Sequence, residues 1–201
     1  MAFWSTTGTE PKRQFRFKVQ FAAADSESAN ALAGQGVIWF AKKVTLPQYT
    51  MTEVTHKFLD KNFYFPGRVE YNTVELTLVD PVSPDAVDLT LNMIEDSGYR
   101  MPSEMSAAGA FATISKEKAS RKGLGDVIIT TIDHEGVALE TWTLNNAFPK
   151  SVKFGDLSYD SDELREITLE IRYDWATCQM RDNAEPYFKA GTFNPDGPRV
   201  P

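Results

Sequence analysis

The clearest pattern in the chain is an alternation of apolar and polar residues near its carboxyl end. Ile167, Leu169, Ile171, Tyr173 and Trp175 interleave with Glu166, Thr168, Glu170, Arg172 and Asp174. A period of two sustained in this way marks a strand with one buried face. Residues 14–21 repeat it, with Phe15, Phe17, Val19 and Phe21 opposite Gln14, Arg16, Lys18 and Gln20. Further strands are predicted at about 37–46, 48–58, 63–79, 126–133 and 137–144. Within 63–79 the apolar parity moves between Tyr71 and Val74, which predicts a bulge or bend near Asn72 and Thr73. A similar slip separates Val137 and Leu139 from Trp142 and Leu144. Turn residues Asp60-Lys61-Asn62 and Asp133-His134-Glu135-Gly136 close two hairpins.

One segment has helical spacing. Ser83 and Pro84 read as an N-cap and first-turn proline, Asp85 and Asp88 complement the helix dipole, and Gly98 ends the run. Val87, Leu91 and Ile94 are expected on the buried face, with Ala86 and Met93 beside them. Residues 99–125 read as a loop-rich excursion, and residues 22–36 as an insertion. The chain therefore predicts a mainly β, antiparallel sandwich or barrel-like domain over 1–178, flanked by one α-helix and carrying a long hairpin. Residues 179–201, with prolines at 186, 195, 198 and 201, read as an extended carboxyl-terminal arm.

Composition narrows the functional classes. The 201 residues carry 21 Lys and Arg against 28 Asp and Glu, a formal charge of −7, which argues against a protein that grips nucleic acid by neutralising phosphates. A single cysteine, Cys178, excludes an intramolecular disulfide. No apolar run approaches the roughly 20 residues of a membrane span, and the amino terminus lacks a signal-peptide pattern, so a soluble protein of the reducing cytoplasm is expected. The charge is segregated: Lys12, Arg13, Arg16 and Lys18 cluster, as do Lys116, Lys118, Arg121 and Lys122 against one Glu117, whereas Asp156, Asp160, Asp162, Glu163 and Glu166 face only Arg165. Such runs are commonly solvated loops. The alternative is a set of complementary patches that meet when identical subunits stack.

Catalytic chemistry has little to build on. Cys178 has no histidine beside it in sequence, His56 alternates with Val54 and Phe58 on a strand, and Asp133-His134-Glu135 is a hairpin tip better explained as a turn than as a metal site. Gly123-Leu124-Gly125-Asp126 precedes a strand instead of a helix, so it lacks phosphate-loop geometry. Trp4, Trp39, Trp142 and Trp175 suggest a carbohydrate-binding sandwich as an alternative, although two of them sit at inward-alternating positions. No enzyme, cofactor or metal is implied. A β-rich chain with long hairpins has unpaired edges to manage, and pairing between subunits removes them.

Residues 141–159, Thr-Trp-Thr-Leu-Asn-Asn-Ala-Phe-Pro-Lys-Ser-Val-Lys-Phe-Gly-Asp-Leu-Ser-Tyr, followed by the alternating strand at 166–175, resemble the tail tube protein of contractile-tailed bacteriophages. Lys43-Val44-Thr45-Leu46-Pro47, Phe65-Pro66-Gly67 and Glu75-Leu76-Thr77-Leu78-Val79-Asp80-Pro81 follow the family's order upstream. The resemblance implies six copies closing into a ring, and rings stacking into a tube inside a sheath. It implies sheath, baseplate and tail-terminator partners, genome DNA passing through the lumen without specific binding, and a place in the virion. Type VI secretion and phage-tail-like tube subunits are similar, which makes a protein-injecting tube the alternative. Under this resemblance Glu166, Glu170 and Asp174 are expected to line the lumen. Tyr49, Met51, Phe58, Phe63 and Phe65 are expected on a hairpin between rings. Lys116, Lys118, Arg121 and Lys122 would then meet Asp156, Asp160 and Asp162 in stacking.

Overall fold

The structure, a computed structural model, describes residues 11–22, 41–83, 85–99, 113–160 and 162–181. Its strands are β1 (Phe17–Ala22), β2 (Ala41–Val44), β3 (Tyr49–Phe58), β4 (Lys61–Tyr71), β5 (Val74–Val79), β6 (Gly125–Ile132), β7 (Ala138–Lys153), β8 (Glu166–Arg172) and β9 (Trp175–Met180). Helix α1 spans Ala86–Asp96, and a short helix α2, Lys116–Lys118, runs into a π-helical turn at Ala119–Gly123. The mainly β, antiparallel sandwich expected from the alternation is what the chain forms.

The fold is organised by one long ribbon. β8 and β9 together pair antiparallel along β7, from Lys153 opposite Thr168 to Glu140 opposite Met180, with one register shift between Pro149 and Ser151. The ribbon bends where Asn146 adopts φ 54° and the β8–β9 path breaks at Tyr173 and Asp174. On one side of the bend the amino-terminal half of β7 carries β6 and then β1; on the other, β8 carries β5 and then β2. Two layers result, β1-β6-β7-β9 and β2-β5-β8-β7, joined through β7. Their inner faces bury Val19, Val127, Ile129, Leu144 and Ala176 from the first, and Val74, Leu76, Leu169 and Ile171 from the second. Each such aliphatic side chain contributes roughly 1.5–3 kcal/mol on full burial.

Several sequence expectations are corrected. The strand expected to end at 144 continues to Lys153, so Ala147-Phe148-Pro149 lies within β7. Pro149 is tolerated because this half of β7 is an edge among the described strands, with a register shift beside it between Pro149 and Ser151. The single strand expected at 166–175 is two, and the break moves Trp175 off the buried face, leaving Ala176 and Cys178 inside. The bend at Asn72 and Thr73 is present as the gap between β4 and β5, and the slip near Leu139 appears as a register shift between β6 and β7. Helix α1 is capped by Asp85, not Ser83: its carboxylate accepts from the N–H groups of Val87 and Asp88. The buried stripe is Ala86, Thr90 and Met93, rotated from the one expected, and Leu91 is exposed. The first hairpin closes through two residues, Leu59 and Asp60, with Lys61 and Asn62 already in β4. The expected strand residues 37–40, the insertion from 23 to 36, residues 100–112 of the excursion and residues 182–201 of the arm lie outside the described residues.

Candidate functional site

The β3–β4 hairpin forms a sheet of its own, separate from the seven-stranded one. Every residue of β3 is exposed, and so is every residue of β4 except half-buried Tyr71. Isolated two-stranded ribbons are marginally stable in water, yet this one is rich in large apolar side chains. The register explains their arrangement. β4 holds one extra residue between Val69 and Pro66 relative to Met51 and Glu53, where Arg68 N–H donates to Thr52 Oγ1 at 2.8 Å. Gly67 is required there by close approach, since a Cβ would lie 2.3 Å from Thr52 Oγ1. Across this bulge the apolar surface changes sides: Tyr49, Met51 and Val69 lie on one face near the base, and Val54, Phe58, Phe63 and Phe65 on the other toward the tip. All five hairpin residues expected from the sequence are exposed, as two clusters on opposite faces.

The base of the hairpin is fixed to the sandwich by aromatic contact. Tyr71 packs edge-on to Tyr49 at 6.4 Å and against buried Tyr173 at 5.7 Å, and Arg172 Nη1 donates to the Tyr71 carbonyl at 2.8 Å. Desolvation, reinforced by Tyr71, pushes the Tyr173 hydroxyl up to about 12. That hydroxyl is buried and makes no hydrogen bond of normal geometry, and the Gln48 backbone beside it offsets only a little of the upward shift.

Glu166 and Glu170 alternate on the outward face of β8, whereas Asp174 sits in the ribbon's bend and not on that strand face. None of the three is a bare carboxylate. Glu166 is paired with Lys42. Glu170 accepts from Lys150 at 2.7 Å and Thr73 at 2.9 Å, and these bonds hold its carboxyl below the usual range. Asp174 accepts from Lys116 at 2.8 Å and from the Asn146 amide at 2.9 Å. Desolvation works against its ionisation, but those donors outweigh it and lower its carboxyl. Around Glu170 the outer face of the second layer forms a shallow hollow of about 280 Å³ lined by Thr45, Thr73, Glu75, Ser151, Lys153 and Thr168. The sequence alternation places Thr168 and Glu170 there. Thr45 and Thr73 from the strand ends, Glu75 from β5, and Ser151 and Lys153 from β7 were missed because cross-strand register is a long-range property.

Of the two clusters expected to meet in stacking, the basic one around Lys116 is partly engaged within the chain: Lys116 with Asp174, and Arg121 with Glu117 at 3.8 Å. Lys118 and Lys122 are exposed. Asp156, Asp160 and Asp162 are exposed on the β7–β8 loop, together with Leu157 and Tyr159. Gly155 opens that loop with φ +73°, where a Cβ would also lie 2.5 Å from the Glu166 carbonyl. A feature with no sequence signal is a cleft of about 830 Å³ between β1 and β2, floored by Phe17, Val44 and Ile129.

Of the residues weighed for chemistry, Asp133 and Cys178 serve the fold. Asp133 accepts from the N–H groups of Glu135 and Val137, each at 2.9 Å, and pairs with Arg181 at 3.1 Å, which closes the β6–β7 turn. Those two N–H bonds, with Arg181, also hold its carboxyl low against partial desolvation. Cys178 is buried, and desolvation raises its thiol. Among the described residues no group of three or more His, Cys, Asp or Glu is placed to hold a metal ion. No helix among them is long and apolar enough to cross a membrane.

Neither a protein-family model nor a curated protein matches the sequence. Solved structures do. A chain of the six-fold symmetrised anti-feeding prophage baseplate matches with a TM-score of 0.58 at 20% identity, covering 87% of this chain and 99% of that one. A chain of the anti-feeding prophage tube-terminating cap matches with a TM-score of 0.58 at 17% identity, over 90% and 99%. A chain of the sheath–tube complex of the extracellular contractile injection system PVC, in its extended state, matches with a TM-score of 0.57 at 15% identity, again over 90% and 99%. At these identities the likeness is one of fold. The chain shares the fold of these chains of contractile particles.

Proposed function

We propose that this chain is a structural, non-enzymatic subunit of the tail tube of a contractile phage particle, assembling into hexameric rings that stack around a conduit for genome DNA. The observation that carries the proposal is the hairpin: an apolar ribbon exposed on both faces, held at its base by Tyr71 and Tyr173. A surface of this kind marks a protein contact. Two clusters on opposite faces suit insertion between neighbours better than docking on one flat surface. In this reading the hairpin joins successive rings, and sheath, baseplate and terminator proteins are further partners. The likeness in fold to chains of a baseplate, a tube-terminating cap and a sheath–tube complex supports it.

The unpaired strands suggest how a ring closes. Among the described residues the second layer is open at β2 on one side and at the carboxyl-terminal half of β7 on the other. Joining the β2 edge of one copy to the β7 edge of the next is a heterologous contact, and such contacts make rings when the rotation closes. The outer face of that layer, with Thr168, Glu166 and Glu170, then lines the lumen, and Asp174 lies at its margin. Because Glu166 and Glu170 are paired with Lys42 and Lys150, the lining is close to neutral and rich in hydroxyls. A DNA conduit must not retain its cargo, and such a surface offers phosphates no unpaired cationic row. The division into a tube domain and a carboxyl-terminal arm belongs to the same proposal.

The fold likeness to contractile injection systems keeps a protein-injecting tube as the second reading. Thr168→Cys labelled with undecagold in assembled tubes tests the lumen assignment. Density inside the bore is expected, and label on the outer wall would overturn it. Nucleic acid recovered from nuclease-treated particles after ejection is arrested separates DNA cargo from protein cargo.

A further inference from the structure

The β7–β8 loop and the β1–β2 cleft have complementary surfaces. We propose that the loop, residues 155–165, of one copy seats in the cleft of the next copy around the ring. This inference rests on the assembly reading above and names a contact within it.

The loop exposes Leu157 by 83% and Leu164 by 72%, with Tyr159 fully exposed between them. Interspersed are Asp156, Asp160 and Asp162, none with an ion pair among the described residues. An apolar strip studded with unpaired carboxylates needs a partner with an apolar floor and a cationic rim. The cleft has both. Phe15, Phe17, Val44, Leu46 and Ile129 supply apolar surface, and its volume of about 830 Å³ lies within the roughly 300–1,000 Å³ of sites that take a compact ligand. The rim carries Lys12, Arg13, Lys42 and Lys43. Lys12 and Lys42 are paired with Glu140 and Glu166, which leaves Arg13 and Lys43 as cations with no ion pair among the described residues. The basic cluster around Lys116 is less available, because Lys116 and Arg121 are engaged within the chain.

Topology places the two surfaces in register for the same joint. The loop leaves the open β7 edge of the second layer, and the cleft lies along β2, the open edge on the other side. Bringing β7 of one copy beside β2 of the next therefore brings the loop to the mouth of the neighbour's cleft. The joint is self-complementary only head to tail, as ring closure requires. Edge pairing alone is sequence-tolerant; the loop and cleft add direction and selectivity through apolar burial and charge complementarity. A standard interface buries about 800 Å² per partner, more than a short strand edge covers, and the seated loop enlarges the joint.

The test uses two full-length variants, R13E/K43E and D160K/D162K, both at exposed positions. Each alone presents like charges at the joint and is expected to raise the concentration needed for ring formation by roughly tenfold or more. Mixed one to one, the acidic loop of the first meets the basic cleft of the second, and the lysine loop of the second meets the glutamate cleft of the first, so alternating rings are expected near the wild-type concentration. Circular dichroism melts verify that both variants are folded. In a second measurement, L46C and L157C variants mixed and oxidised should give a disulfide-linked dimer between different copies, since native Cys178 is buried. If the wild type forms rings but the charge variants do so equally well, or the mixture is not rescued and no crosslink forms, this contact is wrong while the assembly reading stands. If the wild type itself forms no rings, the reading beneath the proposal fails.

Discussion

Substituting Phe58 by serine separates the hairpin's role in assembly from any role in folding. Phe58 is 60% exposed and packs on no buried core residue of the sandwich. A phenylalanine carries roughly 150–250 Å² of buriable surface, so about 120 Å² remains to be covered by a partner. At roughly 25 cal/mol per Å² this is worth about 3 kcal/mol when fully buried. Since each 1.4 kcal/mol is tenfold in an equilibrium constant, the upper bound is a shift of about 100-fold in the assembly constant. Ordering costs on association reduce it, so a rise of about 10- to 100-fold in the critical concentration is expected. Monomer stability should change by no more than about 0.5 kcal/mol, as for other exposed positions. Sedimentation velocity over a concentration series reads the first quantity, and urea denaturation of the dilute monomer reads the second. An unchanged critical concentration, or a monomer destabilised by several kcal/mol, would refute the assignment of the hairpin to assembly.

Further consequences concern the fold that carries these surfaces. Tyr173→Phe removes a buried hydroxyl that makes no hydrogen bond of normal geometry, with only a weak contact to the Gln48 backbone, and should change stability by no more than about 1 kcal/mol in urea denaturation; a larger loss would show that the Gln48 contact is a formed hydrogen bond. In the wild type the raised Tyr173 hydroxyl stays neutral after the unfolded chain's tyrosine ionises. Its contribution is complete below about pH 10 and is lost as pH rises toward about 12, and Tyr173→Phe should flatten that alkaline limb of a stability–pH curve. Asp174 and Glu170 have the opposite sign. Their lowered carboxyls contribute stability that is present above the ordinary carboxylate range, near pH 4, and is lost as pH falls through their folded values; Asp174→Asn should flatten the acid limb. Gly155→Ala imposes a left-handed conformation costing about 1–2 kcal/mol and a contact with the Glu166 carbonyl, so the variant should unfold at lower urea and assemble poorly even where it folds.

The layers of the sandwich were legible because burial imposes a period of two that local sequence records directly, as at Ile167, Leu169 and Ile171. The ribbon's bend was not. The break at Tyr173 and Asp174 is made by Asn146 and Lys116, which lie 28 and 58 residues away in the chain, and no local pattern signals such partners. The same reason hid the ion pairs that neutralise Glu166 and Glu170: a carboxylate on an outward strand face reads as free until the register brings Lys42 or Lys150 beside it. The hairpin residues could be chosen from sequence because their apolar character exceeded what one ribbon can bury. Strand parity along β3 already separates Tyr49 and Met51 from Phe58; what the sequence did not show is that the β4 bulge at Gly67, opposite Thr52, places Val69 with Met51 instead of with Phe63 and Phe65. The cleft between β1 and β2 joins residues about 30 and 110 positions apart in the chain, and only the folded arrangement assembles it.

The central claim is that this chain is a ring-forming tube subunit. Electron microscopy of the purified full-length protein, with two-dimensional class averages of end-on views and native mass on the same sample, tests it most directly. The account predicts six-fold rings with a central bore, stacking into hollow tubes as concentration rises. A folded protein that stays monomeric across that series, or closed dimers without a bore, would contradict it.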